Sequence, residues 1–470
     1  MKRFSKLVYA LSVSGTLLSA CASLTVPEKP SPESSLAIAA EIPEVFFNAD
    51  GVSLPFETSW WEAFGDPDLT RLVNAALAEN RALEVAQANV RIASMRLERQ
   101  ERERGIQTSS SANLDAGRAA FPNRSVIATA SGNLGASWEY DAFGRIASAI
   151  RAAAFTVEAE EQARRDIAVI ISSETALAYI DLRGAQRRLA VARDNAQTQL
   201  QSLDLLKLRL ENGRATDLDV SRSEAQYRTT LADLPRFQAG IESAVSRLAV
   251  LTGTSASAPS QDLLDLKETE RDIPSLTESF TVNAPQTLLR RRPDIRLAET
   301  EISRRLALSD VERARLFPTL IFNADIFILF GNGNRFDQAS SLGFGLGPAL
   351  RWEGPDLTRV RADIAVADAE TERAYIVYEQ TVLQALADVE AALSNRRNEA
   401  TRQENLILAV RSAKQSVELA QLRFEEGVDD FLDVLDAQRT LLAAEDRLAE
   451  NRLQTTRLTV QTYRELGGIW

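Results

Sequence analysis

The 470-residue sequence contains two copies of one unit, and this duplication restricts the possible folds more than any other feature. The segment "NRALEVAQANVRIA" (80–93) aligns with "RPDIRLAETEISRR" (292–305). Farther along, "LRLENGRATDLDV" (208–220) aligns with "LRFEEGVDDFLDV" (422–434) at nearly the same offset. Both copies should therefore fold into the same elements in the same order.

We divide the folded sequence into a first repeat (59–255), a linker (256–284) and a second repeat (285–470). Each repeat is predicted to contain a helix, a pair of strands and two long helices. The strand pairs, 106–140 and 318–352, alternate apolar with polar or small residues, which places the apolar residues on one face. Tilted strands of about 9–11 residues can cross a membrane. Half-buried sheets of soluble proteins alternate too, so this pattern alone leaves both interpretations open.

The long helices are predicted from segments with helical spacing of apolar residues and very little glycine or proline. A helix of nearly 70 residues is about 100 Å long at 1.5 Å per residue. Such a helix needs neighbours along its whole length, as in coiled coils. Gly213 and Gly427 should end the first long helix of each repeat and turn the chain back. The predicted helices are 145–212, 217–252, 356–426 and 430–466.

The N-terminus has the features of an export signal. Positive charge in "MKRFSK" precedes an apolar stretch that is too short to span a bilayer. The sequence "LLSAC" resembles the bacterial lipobox and ends at Cys21, the only cysteine of the chain. We therefore predict a signal peptide (1–20), a lipid on Cys21 and a Pro/Ser-rich tether (21–58). By resemblance to bacterial lipoproteins, Ala22 favours the outer membrane. An ordinary signal peptide with a chance cysteine is the alternative.

The composition argues against most chemistry. The chain has no histidine, so it lacks the usual general base and the commonest metal ligand. A single cysteine excludes an internal disulfide and a zinc finger. Net charge is −12 and no basic stripe is present, so nucleic acid is not an expected partner. We predict that the protein is not an enzyme and holds no cofactor or structural metal.

The segment "GVDDFLDVLDAQR" (427–439) carries four aspartates within ten residues. Asp433 and Asp436 are three residues apart, so on a helix they share a face. They could be a catalytic pair, metal ligands, helix caps or a charged collar around a pore. Capping and the helix dipole account for Asp430 and Asp433, but Asp436 lies beyond the first turn. Asp219 is equivalent to Asp433 through the internal repeat.

The ordered motifs "LLSAC", "SWWEAFGDPDL", "RRRPDIRLAE", "ARLFPTL", "LRFEEG" and "LDVLDAQR" resemble the TolC-like outer-membrane efflux factors, specifically their NodT-like lipoprotein branch. The resemblance covers nearly all of the mature chain. It implies an α+β membrane protein that forms a homotrimer. Twelve strands would form one outer-membrane β-barrel, continued by a long periplasmic α-helical barrel. The implied function is the exit duct of a tripartite pump, with a periplasmic adaptor and an inner-membrane RND-type transporter as partners.

The same resemblance implies roles at the periplasmic tip. Asp433 and Asp436 would form negative rings that gate the pore, set its selectivity and attract cations weakly, with Asp219 at the adjacent turn. Phe424 and Asp429 occupy positions where family members often lock the tip with a hydroxyl-bearing aromatic residue and an arginine. That lock cannot form here. A passive porin and a periplasmic adaptor or structural lipoprotein are the rival functions, but neither needs both the strand pairs and helices of this length.

Overall fold

The computed structural model describes residues 59–118, 126–276, 291–331 and 342–468. The predicted signal peptide, Cys21 and the tether lie outside the described residues, as do the end of the predicted linker and the start of the second repeat. The described chain divides into two compact units. The strand unit comprises residues within 88–161 and 297–380, and the helical unit comprises residues within 59–87, 162–296 and 381–468.

Eight α-helices and four strands make up most of the described chain, and several of the helices run through both units. The helices are α1 (Pro67–Glu79), α2 (Arg81–Glu101), α3 (Arg145–Glu211), α4 (Asp217–Leu251), α5 (Gln261–Glu268), α6 (Pro293–Ala314), α7 (Thr358–Glu425) and α8 (Phe431–Glu465). The strands are β1 (Gln107–Arg118), β2 (Val126–Tyr140), β3 (Thr319–Gly331) and β4 (Leu342–Arg351). Short 3₁₀ helices lie at Trp60–Phe64 and Arg102–Arg104.

The four strands form one antiparallel sheet in the order β1-β2-β3-β4, so β1 and β4 are its edges. Leu134 of β2 pairs with Ser110 of β1 and Ile326 of β3, and Ile326 pairs with Phe344 of β4. This register brings the alternating apolar residues of both predicted strand pairs onto one face. That apolar face is exposed, with Leu114 84% and Phe344 86% accessible. The opposite, polar face carries mainly serine, asparagine, aspartate and glycine.

Aromatic side chains gather near the end of the sheet where β2 finishes and β3 begins. The Trp138 ring stacks on Phe322 at 5.7 Å between centroids and meets Tyr140 edge-on at 6.1 Å. The Trp138 indole N–H donates to the Arg104 carbonyl at 3.1 Å. Rings with an apolar body and a polar tip are typical of a membrane–water boundary.

The first repeat differs from the prediction, because its single expected helix is two helices, α1 and α2. The chain breaks at Asn80, whose extended backbone ends α1. The Asn80 side chain accepts from the backbone N–H of Ala82 and donates to the Leu251 carbonyl at 2.9 Å. The partner on α4 lies 171 residues away along the chain, so local sequence could not reveal this break. A second difference is α5, a short helix within the segment predicted as linker.

The two longest helices, α3 and α7, are 67 and 68 residues long. They end at Glu211 and Glu425, one residue before the predicted ends. None of the described helices is both long enough and apolar enough to cross a membrane.

Among the described residues, the largest apolar core lies in the helical unit. Trp60 stacks on Tyr463 of α8 at 5.1 Å between ring centroids. Arg183 of α3 is fully buried and donates to the Tyr179 hydroxyl at 3.0 Å and to the Thr269 carbonyl at 2.5 Å. Tyr179 in turn donates to the Asp66 carboxylate at 2.7 Å. Because its partners come from three separate segments, this network holds the α1 and α5 regions against α3.

Candidate functional site at the paired helix turns

The two turns predicted to carry the functional aspartates have the same backbone. Gly213 and Gly427 adopt the left-handed conformation, with φ of 68° and 74°. The N–H of Arg214 reaches back to the Arg209 carbonyl at 2.8 Å, and that of Val428 to the Arg423 carbonyl at 2.9 Å. These are Schellman ends, in which glycine satisfies the last carbonyls of a helix at low conformational cost.

A small apolar cluster packs the two turns side by side. Leu206 of α3 is buried against Phe431, Val434 and Leu435 of α8. Phe424, at the end of α7, meets the Phe431 ring edge-on at 5.2 Å. The elements on either side of Gly213 and Gly427 therefore share one core, and their acidic residues lie in the same region of the helical unit.

Arg209 and Phe424 join the ends of α3 and α7. The Arg209 guanidinium lies 4.2 Å from the centre of the Phe424 ring. It also donates to the Phe424 carbonyl at 3.3 Å. Cation–π contacts of this kind stabilise a structure by about 0.5–1 kcal/mol when exposed. Phe424 thus has partners within its own chain, and sequence reasoning had not identified Arg209 as one of them.

In the first turn, the Asp219 carboxylate is used to begin α4. Asp219 accepts from the backbone N–H of Thr216 at 3.0 Å and from its hydroxyl at 2.6 Å. The Thr216 hydroxyl accepts from the Asp219 N–H at 3.3 Å, which completes a capping box. Local helix capping therefore accounts for this carboxylate.

In the second turn, aspartates replace the threonine cap and add an ion pair. Asp430 is the N-cap of α8, and its carboxylate accepts from the Phe431 N–H at 2.8 Å. Asp429 pairs with Arg423, with one nitrogen–oxygen distance of 2.8 Å. The hydrogen bond from Arg423 lowers the pKa of the Asp429 carboxyl. Arg423 is thus engaged by Asp429 of its own turn.

Asp433 and Asp436 differ from the other acidic residues of the turns. Both are exposed, and neither carboxylate has a hydrogen bond or salt bridge to any residue that the structure describes. The buried face of α8 is formed instead by Phe431, Val434 and Leu435. In the described part of the chain, no group of three potential ligands is arranged to hold a metal ion. The cap and the core use neither carboxylate, although Asp433 lies in the first turn of α8, where the helix dipole favours its charge.

Comparison with known proteins identifies the family. The family model described as "Outer membrane efflux protein" matches residues 72–254 and again residues 284–468. The chain belongs to this family. The two matched segments correspond to the two repeats, so the prediction of an internal duplication is confirmed.

Relatives of this outer membrane efflux protein match over most of their length. Outer membrane protein OprJ of Pseudomonas aeruginosa is 29% identical, covering 88% of this chain and 87% of the relative. Nodulation protein T of Rhizobium leguminosarum bv. trifolii is 27% identical, with 83% of each chain covered. The solved structure of the outer-membrane channel OprN has a TM-score of 0.83 and 31% identity, covering 94% of this chain and 99% of that one.

These findings confirm the predicted family, the outer-membrane location and the efflux function. The passive porin and the adaptor are not favoured. The family and the relatives are efflux-system channel proteins rather than enzymes. The structure brings Asp219, Asp433 and Asp436 to neighbouring turns, and their gating roles stay predictions. The sequence did not predict the contacts of Phe424 with Arg209 and Phe431. The available signal was the alignment of "LRLENG" with "LRFEEG", which places Arg209 and Phe424 at equivalent helix ends.

Proposed function

We propose that three copies of this chain form the exit duct of a tripartite efflux pump. The observation that carries the proposal is a four-stranded sheet with two open edges and a continuous exposed apolar face. Lipid does not tolerate open sheet edges, so β1 of one copy must pair with β4 of the next. Two copies would give eight strands, whose interior is just filled by side chains. Three copies give twelve strands and leave room for a water-filled passage lined by the polar face.

The exposed carboxylates of Asp433 and Asp436 are the proposed selectivity element. In a trimer each residue would form a ring of three charges around the passage, with Asp219 beside it. Rings of acidic side chains favour cations in channels. Neither carboxylate makes a hydrogen bond or salt bridge within the described chain, although the charge of Arg423 acts on Asp433. This supports the role, since exposed charged groups add little to folding. Asp219, held in its capping box, would contribute less. A weak cation site at the two rings is part of the same proposal.

The duct would receive its cargo from a periplasmic adaptor and an inner-membrane RND-type transporter. The names of the relatives point to different cargoes. One is the pyoverdine export outer membrane protein OpmQ of Pseudomonas aeruginosa. Others are the toluene efflux pump outer membrane protein TtgC and the antibiotic efflux pump outer membrane protein ArpC, both of Pseudomonas putida. This variety supports a duct whose cargo is chosen by the pump partner.

The N-terminus would add a membrane anchor. We propose that residues 1–20 are removed, that Cys21 carries a covalent lipid, and that residues 21–58 tether the folded part to the outer membrane. "LLSAC" is the feature that supports this step.

The trimer is tested by joining the two sheet edges between copies. Chains with one cysteine in β1 (Asn113→Cys) and one in β4 (Ala349→Cys), in a background that retains Cys21, are treated in membranes with flexible bis-maleimides. We expect cross-linked products of two and three chains and none larger. Neither variant with a single added cysteine should give these products. A discrete dimer or tetramer as the largest product would contradict the architecture.

A further inference from the structure

Three successive positions of β4 on the polar face of the sheet are glycine. Gly343, Gly345 and Gly347 lie in register with Phe327, Asp325 and Asn323 of β3, respectively. Glycine weakens a strand interior and often marks a place where another group approaches closely. The surroundings of the three glycines differ, and this difference shows which of them is needed.

Gly343 lies directly beneath an aromatic ring. A Cβ atom at Gly343 would be 2.2 Å from Cζ of Phe327, far inside van der Waals contact. The Phe327 ring therefore lies flat across β4, although strand side chains usually stand perpendicular to their sheet. At Gly345, a Cβ atom would be 2.9 Å from the Asp325 carboxylate. At Gly347, a Cβ atom would meet nothing within 4 Å.

Phe327 is a large apolar side chain on the polar face. Asn133 of β2 lies in register with Phe327, and Phe327 is 41% exposed. If the polar face lines the passage, a phenylalanine there has two possible positions, flat against the wall or projecting into the lumen. The flat position over β4 is available because Gly343 has no side chain, whereas on the β2 side Asn133 stands in register with Phe327.

We propose that the contact between Gly343 and Phe327 sets the free width of the passage within the strand region, and so limits the size of molecule that can leave. In a trimer, each of the three Phe327 rings would lie flat against the wall of the passage, over Gly343 of its own chain. This inference rests on the proposed function, because it requires the polar face to enclose water. An aromatic ring over an edge-strand glycine also stabilises strands, so the test must separate width from stability.

The test measures how fast a cysteine below the Phe327 level reacts with reagents added outside intact cells. Ser137→Cys is the reporter, because Ser137 is on the polar face and pairs with Asn323, four residues before Phe327 on β3. An impermeant small maleimide and a bulky polymer-linked maleimide are compared. The chain without the reporter gives the background from Cys21.

We expect Gly343→Ala to slow the bulky reagent severalfold while the small reagent is nearly unaffected, because the displaced ring must project into the lumen. Gly347→Ala is the matched control on the same strand and face, and its rates should equal those of the parent. Gly343→Ala with Phe327→Ala should restore the bulky rate, because no ring is left to project into the lumen. The unchanged rate of the small reagent separates narrowing from a structural defect, which would alter both rates.

The outcomes separate the inference from the function on which it rests. If the parent reporter reacts with neither reagent from outside, the water-filled passage itself is refuted. If it reacts but Gly343→Ala and Gly347→Ala behave alike, the role of the ring is refuted. Phe327→Ala alone covers the case in which Gly343→Ala does not reach the membrane. It should leave the bulky rate unchanged, and a large acceleration would show that the ring already obstructs the passage.

Discussion

The turns at Gly213 and Gly427 have one backbone but different chemistry. Both glycines are left-handed and both close the preceding helix with the same pair of hydrogen bonds. The residues around them have diverged, with Thr216, Asp217 and Arg222 in the first turn corresponding to Asp430, Phe431 and Asp436 in the second.

Because of these differences, the equivalent carboxylates of Asp219 and Asp433 have different surroundings. Thr216 has a hydroxyl that donates to Asp219, so the first carboxylate is occupied by capping. Asp430 has no such donor when ionised, and the equivalent Asp433 carboxylate is exposed. With aspartate instead of threonine as the N-cap, the Asp433 carboxylate is not bonded to the cap and stays exposed. The two copies thus share the residues that fix the backbone of the turn and differ in the charged residues around it.

The largest expected effect concerns Phe431, which only the second turn has. Phe431 is buried against Leu206, Val434 and Leu435. Phe431→Ala should destabilise the packing of the turns by about 3–5 kcal/mol, because it removes a ring and leaves a cavity. The equivalent Asp217→Ala, at an exposed position, should cost about 0.5 kcal/mol or less. Amide hydrogen exchange of both turns in the purified protein measures the difference, and similar losses of protection in the two variants would contradict it.

The next effect concerns charge. Asp433→Ala/Asp436→Ala should reduce cation selectivity, measured as the reversal potential in a salt gradient across a planar bilayer, because it removes both exposed carboxylates. Asp219→Ala should change the reversal potential much less. The selectivity difference should shrink at high salt, since the screening length is about 3 Å at 1 M. Equal reversal potentials for the wild type and a well-folded double variant would rule out the collar.

Much of this architecture follows from local sequence. Gly213 and Gly427 predicted the helix ends because only a residue tolerant of positive φ suits the position. Alternation predicted the apolar face because the side-chain period of a strand is fixed. The register also joined the two strand pairs in one sheet, so the faces predicted separately coincide.

The features that sequence could not reveal depend on partners far along the chain. The break at Asn80 uses a carbonyl on α4. The stacking of Arg209 on Phe424 joins residues 215 positions apart. Phe327 rests on Gly343 because of the β3–β4 register, which alternation within each strand does not specify. The engagement of Asp219 by Thr216 is different, because the two residues are three apart and the spacing Thr-x-x-Asp by itself indicates a capping box.

The smallest effect concerns the ion pair of Arg423 and Asp429, for which the first turn has no equivalent, since Ala215 stands at the place of Asp429. Arg423 lowers the pKa of the Asp429 carboxyl, so the folded form holds this proton less tightly than the unfolded form. The contribution of the pair is therefore complete above the ordinary aspartate pKa of about 3.9 and is lost as pH falls through the lowered value. Because Arg423 is exposed and Asp429 is only partly covered, the effect should be small. Arg423→Gln should slightly reduce exchange protection of residues 426–430 at neutral pH, and the difference from wild type should vanish in acid.

Asp429→Ala, which restores the residue of the first turn, should abolish the effect of Arg423→Gln. A difference that persists at low pH, or in the Asp429→Ala background, would mean that Arg423 acts through another contact.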